Sequence, residues 1–166
     1  MNIKNRILLL PILSLLIIAF MLVFTGCRKK TDVLGNHSAW MTDFEKAKQT
    51  ARSQGKDLLI NFAGSDWCYW CQRLDGEVFS RTDFLEKAGK DFVFVLVDFP
   101  NDTSGQSVQL QRQNEKLAEQ FGIEYFPTVF LADVDGKPYA RTGYLEGGVK
   151  SYLENLKRLK GQRLSP

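Results

Sequence analysis

Cys68 and Cys71 stand three apart in the stretch "GSDWCYWCQR", residues 64–73. A C-x-x-C pair can be half of a metal site, a haem attachment point, a redox-active dithiol or two small core residues. Structural zinc takes four Cys or His ligands. The chain offers Cys68, Cys71, its single histidine His37 and a third cysteine, Cys27, which a processing signal claims below. A metal site within one chain is therefore not expected. Haem attachment of the c type needs a histidine directly after the second cysteine, and Gln72 occupies that position. Redox use and inert packing remain, and the surrounding elements separate them.

The pair follows "DLLINFAG", which starts at Asp57 and is a continuous apolar run bounded by turn residues, as for a strand covered on both faces. After it, Cys71, Leu74, Val78 and Phe79 fall at helical spacing. Cys68 is thus expected at a helix N-terminus beyond the end of a buried strand, where α/β proteins bind ligands. Unpaired N–H groups and the positive dipole end there stabilise a thiolate. This favours redox use over inert packing.

The other elements read in the same way. Thr42 and Glu45 form a capping-box pattern before a helix with Phe44, Ala47, Lys48 and Ala51 on one face, closed by Gly55. "DFVFVLVDF", residues 91–99, is a second buried strand, and Ser107 to Phe121 spaces Leu110, Leu117, Ala118 and Phe121 along a helix that Gly122 ends. "YFPTVFLADVDGKPYARTGY" reads as two strands around a turn with Asp135-Gly136 at its tip. Val149, Tyr152, Leu153, Leu156 and Leu159 stripe a final amphipathic helix. The order predicts an α/β layer structure with a mixed central sheet flanked by helices.

At the N-terminus, Lys4 and Arg6 precede an uncharged apolar run, Ile7 to Phe24, that ends in "FTGC". This is an export-signal pattern, and "TGC" resembles the lipobox of bacterial lipoproteins, in which the cysteine receives lipid. Residues 1–26 are read as a lipoprotein-type signal peptide, 27–38 as lipid anchor at Cys27 and flexible tether, and 39–166 as the folded domain. An uncleaved signal anchor is the rival reading, because the run is close to the length that spans a bilayer. The basic residues Arg28, Lys29 and Lys30 weigh somewhat against export in either form. His37 falls in the tether and is read as a solvated linker residue. Lipid on Cys27 would leave Cys68 and Cys71 as a pair and resolve the odd count of three cysteines. Losing Lys4 and Arg6 changes 22 basic against 19 acidic residues to 20 against 19, a balance that gives no reason to expect nucleic acid as partner.

"W-C-x-x-C" after a buried strand, with Phe126-Pro127-Thr128 ahead of a strand hairpin, resembles the thioredoxin superfamily over nearly all of residues 39–160. "WCYWCQRLDGEVF" is similar to exported or membrane-tethered members with a W-C-x-x-L-x-x-E-x-F helix start, such as periplasmic disulfide reductases of the Dsb type. The resemblance implies a thioredoxin-like fold in which Cys68 is the exposed nucleophile, Cys71 the resolving thiol and Pro127 a cis-proline facing them. It implies substrate contacts from Trp67, Tyr69 and Trp70 and from the backbone of Phe126. Trp70 departs from the proline that the family often has there. Asn61 departs from a buried aspartate that serves the family as proton acceptor for the resolving cysteine, which leaves Asp66 first and Asp75 second as candidates for that transfer.

The implied chemistry is thiol–disulfide exchange, with no metal or organic cofactor. The expected partners are disulfide-bonded substrate proteins, an electron donor and, through the anchor, the membrane, with the domain a monomer on the periplasmic side. Direction follows from thiolate acidity: strongly oxidising members reach a pKa of about 3.5 and about −120 mV, against about 7 and −270 mV for thioredoxin. Tyr69 and Trp70 place no positive charge between the cysteines, which favours a reductase. An oxidase or isomerase, and a binding module with a structural disulfide, are the alternatives.

Overall fold

A computed structural model describes residues 37–163. The expected signal segment 1–26, the anchor Cys27 and residues 28–36 of the tether lie outside the described residues. His37–Ala39 form one 3-10 turn that leads into a short strand, β1 (Trp40–Met41). There follow α1 (Phe44–Gln54), β2 (Asp57–Ala63) and α2 (Tyr69–Leu74), which continues into a π turn (Asp75–Phe79). Then come α3 (Thr82–Ala88), β3 (Phe92–Asp98), α4 (Val108–Phe121), β4 (Thr128–Ala132), β5 (Pro138–Thr142) and α5 (Gly148–Lys160). The sheet order is β1-β3-β2-β4-β5, with β1, β3 and β2 parallel and β4 and β5 antiparallel. This is the mixed sheet between helices that the sequence predicts.

Every residue of β2 is buried, because helices cover both faces of the sheet. Leu58, Ile60 and Phe62 pack with Phe44, Ala47 and Ala51 of α1 and with Leu117 and Phe121 of α4. Leu59 faces the other way, into a cluster with Leu74, Val78, Phe79, Phe84, Tyr152 and Leu156. Alternate residues serve opposite cores, so the strand reads as a continuous apolar run. Full burial of one such side chain contributes about 1.5–3 kcal/mol, which fixes β2 as the axis from which the site is built.

Several elements correct the sequence reading. Asp43, not Thr42, caps α1: its carboxylate accepts from the Lys46 N–H at 3.0 Å. Aspartate caps at least as well as threonine and adds a charge that suits the helix N-terminus. The Thr42 carbonyl instead accepts from Gln113 Nε2 at 2.8 Å, while Gln113 Oε1 accepts from the Phe44 N–H at 3.1 Å. This stitches α1 to α4. Gly55 closes α1 at φ 62°, and Gly122 closes α4 at φ 61°, both left-handed conformations that glycine adopts without strain. The expected hairpin is β4–β5, where Asp133 Oδ1 accepts from the Asp135 and Lys137 N–H groups. The strand β1, the helix α3 and the π turn are additions. β1 has two residues and α3 buries only Phe84 and Ala88, so neither carries a readable period.

Candidate active site

The site begins where β2 ends. Gly64 lies under the Trp67 indole, and a Cβ there would come within 2.3 Å of the ring, so glycine is required for the tryptophan to fold back. Trp67 is fixed by its Nε1–H to the Phe99 carbonyl at 2.7 Å and by edge-on contact with Phe126 at 5.7 Å between centroids. The Ser65 N–H and hydroxyl both donate to Asp98 at the end of β3, at 2.9 and 2.6 Å. The strand-to-helix loop is therefore anchored before it reaches the cysteines.

Cys68 is the N-cap of α2, and its Sγ accepts from the Cys71 N–H at 3.2 Å. Cys68 and Cys71 are joined as a disulfide with Cα atoms 5.2 Å apart. The resemblance leads one to expect an exposed Cys68 beside a covered Cys71, and exposure corrects this: the residues are 7% and 5% exposed. Ala63, Leu96 and Phe126 pack around both. What separates the two is position, since Cys68 lies at the helix cap while Cys71 lies one turn in and lines a cavity with Asn61 and Asp75.

The Phe126–Pro127 peptide bond is cis. Phe126 packs against the cystine cluster, so the structure brings this loop together with Cys68, Cys71 and Trp67. Trp67, Tyr69 and Trp70, next to the cysteines in sequence, and Tyr125, which shares a surface depression with Trp70, Phe126 and Pro127, are exposed by 47%, 62%, 47% and 54%. Asp66 and Asp75 part company. Both Asp66 oxygens accept backbone N–H groups, from Asn101 at 2.9 Å and Asp102 at 3.0 Å, and these bonds, the one from Asp102 foremost, hold its carboxyl below the usual range. Asp75 lines the cavity at Cys71.

A cluster at the rim was not anticipated from sequence. The Trp70 ring meets Tyr144 at 5.0 Å, and the Arg73 guanidinium lies over both rings, at 5.5 and 5.1 Å. Arg73 is paired with Glu77 at 2.6 Å, and Glu77 accepts the Tyr144 hydroxyl at 2.8 Å. These two bonds, the Arg73 one first, depress the Glu77 carboxyl, while burial and then Glu77 raise the Tyr144 hydroxyl. Arg73 and Glu77 at i,i+4 gave a local signal for half of this clamp. Tyr144 gave none.

A thioredoxin-like domain model matches residues 44–157. The chain is 31% identical over 114 residues to the disulfide bond reductase DsbH of Chlamydia pneumoniae, covering 69% of this chain and 68% of that protein. It is 28% identical over 104 residues to the thioredoxin-related protein DsbJ of the same organism, covering 63% of this chain and 30% of that protein. A solved DsbH oxidoreductase structure superposes with a TM-score of 0.69 at 29% identity, covering 75% of this chain and 85% of that one. With a cystine at the cap of the helix that follows a buried central strand, the chain belongs to the thioredoxin-like family and is a thiol–disulfide oxidoreductase.

Proposed function

We propose that the chain reduces protein disulfides outside the cytoplasm through the Cys68/Cys71 dithiol. The observation that carries this direction is electrostatic. The Cys68 sulfur lies on a helix N-cap, while Arg73, the nearest cation in sequence, is already paired with Glu77. A helix terminus stabilises a nearby anion by about 0.3–1 kcal/mol, up to about 2 in favourable sites, and one pKa unit is about 1.36 kcal/mol. The helix terminus favours the Cys68 thiolate modestly and the burial of Cys68 works against it, so the thiolate is far less stabilised than in the strongly oxidising members. A mildly acidic thiolate stabilises the dithiol only a little, which makes the dithiol a ready electron source. That the relative DsbH is named a disulfide bond reductase supports the same direction.

In the proposed cycle the Cys68 thiolate attacks one sulfur of a substrate disulfide, forming a mixed disulfide and expelling the other sulfur as a thiolate that takes up a proton. Cys71 loses its proton and attacks Cys68, forming the Cys68–Cys71 bond and releasing the second substrate thiol. Two electrons have passed to the substrate, and an external thiol donor must return the domain to the dithiol. Trp67, Tyr69, Trp70 and the Phe126–Pro127 loop supply the surface on which substrate backbone and side chains rest. Residues 1–26 act as the export signal and Cys27 carries the lipid that holds the domain at the periplasmic face. Loss of lipid labelling in Cys27→Ala supports the anchor, and a mature protein that retains residues 1–26 overturns it.

The deciding experiment is a glutathione-equilibrium titration of the soluble domain, paired with insulin reduction in the presence of an external reductant. The expected potential is near or below about −220 mV. A value of about −150 mV or higher, with a Cys68 pKa under about 5, would make the domain an oxidant.

A further inference from the structure

Charge is sorted along the sheet. The strands β2 and β3 run parallel, and the end at which they finish holds the cystine together with Asp66, Asp98 and Asp102. The opposite end, where Asp57 stands opposite Phe92, is basic. Lys56 precedes β2, Lys90 precedes β3, and Lys87, Lys157 and Arg158 lie in the last turns of α3 and α5. Not one of these bases pairs with an acid among the described residues. Two acids of this end are already neutralised, Asp57 by Arg163 and Asp91 by Lys160. Glu86 and Glu154 remain in the C-terminal halves of α3 and α5, which leaves positive charge in excess. The helix dipoles favour lysine in the last turns of α3 and α5, but Lys56 and Lys90 lie outside any helix. Lys87, Lys157 and Lys160 also share a surface depression of about 500 Å³ with Phe92 and Leu153.

The chain enters the fold from this same end. β1 runs parallel to β3 with Trp40 opposite Phe94, so its N-terminal side points toward the basic end. Cys27 stands ten positions before His37, a reach of at most about 36 Å. Arg28, Lys29 and Lys30 follow Cys27 directly and add to the charge that a membrane surface would meet. A domain held on so short a tether stays at high effective concentration over the membrane, so a modest attraction is enough to orient it. We propose that the basic end, through Lys56, Lys87, Lys90, Lys157 and Arg158, rests on the anionic phospholipid headgroups of the membrane to which the chain is tethered. The inference rests on the anchor reading above and adds an orientation to it. The field of such a surface decays over about 10 Å at 0.1 M salt. The seven residues of β2 alone span about 20 Å, so the acids beside the cystine lie beyond it. The disulfide then faces away from lipid and is open to soluble disulfide-bonded proteins.

The test is acetylation of the full chain, purified from membranes and returned to vesicles, with an amine reagent that does not cross lipid. Mass spectrometry reads each lysine. Vesicles of phosphatidylcholine are compared with vesicles of phosphatidylcholine and phosphatidylglycerol. Lys46 and Lys116, exposed on α1 and α4, serve as internal references. Relative to them, acetylation of Lys87, Lys90 and Lys157 should fall about fivefold on the anionic vesicles, the factor that one lysine near such a surface contributes. It should recover at about 1 M salt, where the field decays over about 3 Å. Lys87→Glu combined with Lys157→Glu should abolish the protection of Lys90 and leave exchange with a soluble disulfide at the wild-type rate. A ratio that is the same on both vesicles, or a fall that survives salt and the double variant, overturns the orientation and leaves the anchor intact. Flotation reads the anchor separately: a chain that does not rise with phosphatidylcholine vesicles overturns the anchor, and with it the orientation.

Discussion

Among the described residues the same three-group arrangement occurs twice. At the start of β2, Asp57 accepts the Tyr139 hydroxyl at 2.8 Å and pairs with Arg163 at 2.5 Å, whose guanidinium lies 5.7 Å from the Tyr139 ring. At the rim of the disulfide, Glu77 accepts the Tyr144 hydroxyl at 2.8 Å and pairs with Arg73 at 2.6 Å, whose guanidinium lies 5.1 Å from the Tyr144 ring. The difference is access to water: the Asp57 side chain is 4% exposed and that of Glu77 is 34%. A carboxylate out of water must keep its partners or leave a bare charge in a poor solvent. One at the surface is rehydrated when a partner goes. The Asp57 triad therefore ties β2, β5 and the residues beyond α5 together, while the Glu77 triad sets the attitude of Trp70 beside the cystine.

The sharpest way to break this contrast is to remove each carboxylate. Asp57→Ala should cost about 3 kcal/mol by denaturant unfolding, the low end for a broken buried pair because Arg163 is itself 44% exposed. Disulfide exchange per folded molecule should stay at the wild-type rate. Glu77→Ala should shift the unfolding midpoint far less. Equal shifts would mean that burial does not distinguish the two triads.

A smaller effect is expected from the tyrosines. Tyr139→Phe leaves Asp57 with one fewer donor, and burial together with that bond already pushes the Tyr139 hydroxyl well up. The loss should be about 1.5 kcal/mol, as for a hydrogen bond to a charged group. Tyr144→Phe should instead be seen at the site, as a changed Trp70 signal and a raised KM for a protein disulfide. A Tyr139→Phe variant as stable as wild type would show that Arg163 alone satisfies Asp57.

Neither triad was legible in the sequence, and the reason is distance along the chain. Arg163 meets Asp57 across 106 positions and Tyr144 meets Glu77 across 67. Hydrophobic period, turn chemistry and motif spacing act within a dozen or so residues. They located β2 and its two buried faces, the cystine at a helix start, the hairpin and the last helix. They placed the α1 cap one residue early, because Thr42 and Asp43 are both good caps and a tertiary bond from Gln113 takes the Thr42 carbonyl. They gave no sign that Cys68 would be nearly as buried as Cys71, in a cluster with Ala63 against which Leu96 and Phe126 pack. Asn61 stood out only because the resemblance expected an acid there, and that its Oδ1 finds no hydrogen-bond partner among the described residues is a property of the folded interior. Tyr152 is a second such case. Its hydroxyl is fully buried beside the rings of Phe79 and Phe84, with no hydrogen-bond partner among the described residues.

The smallest expected effect is the pH response of the exposed triad. Hydrogen bonds from Arg73 and then Tyr144 lower the Glu77 carboxyl, so its folded pKa lies below the unfolded value of about 4.3. A group depressed in this way contributes stability that is fully present above the unfolded pKa and is lost as pH falls through the folded one. Asp66 and Asp102 are also lowered, by backbone N–H groups of Asp102 and Ser104 in the first place, so a global acid melt mixes several groups. The indole N–H resonances separate them, because Trp40, Trp67 and Trp70 have different neighbours. Trp70 touches Arg73 and Tyr144, Trp67 donates to Phe99 beside the loop that Asp66 holds, and Trp40 donates to Phe79 in the core. The Trp70 resonance should move with a midpoint below about 4.3 while that of Trp40 stays in place. Glu77→Gln should abolish the movement, since an amide keeps the size of the side chain but cannot lose a charge. A Trp70 midpoint that survives in Glu77→Gln would show that the clamp answers to Asp66 or to the cystine helix, and that the two triads differ in more than their exposure to water.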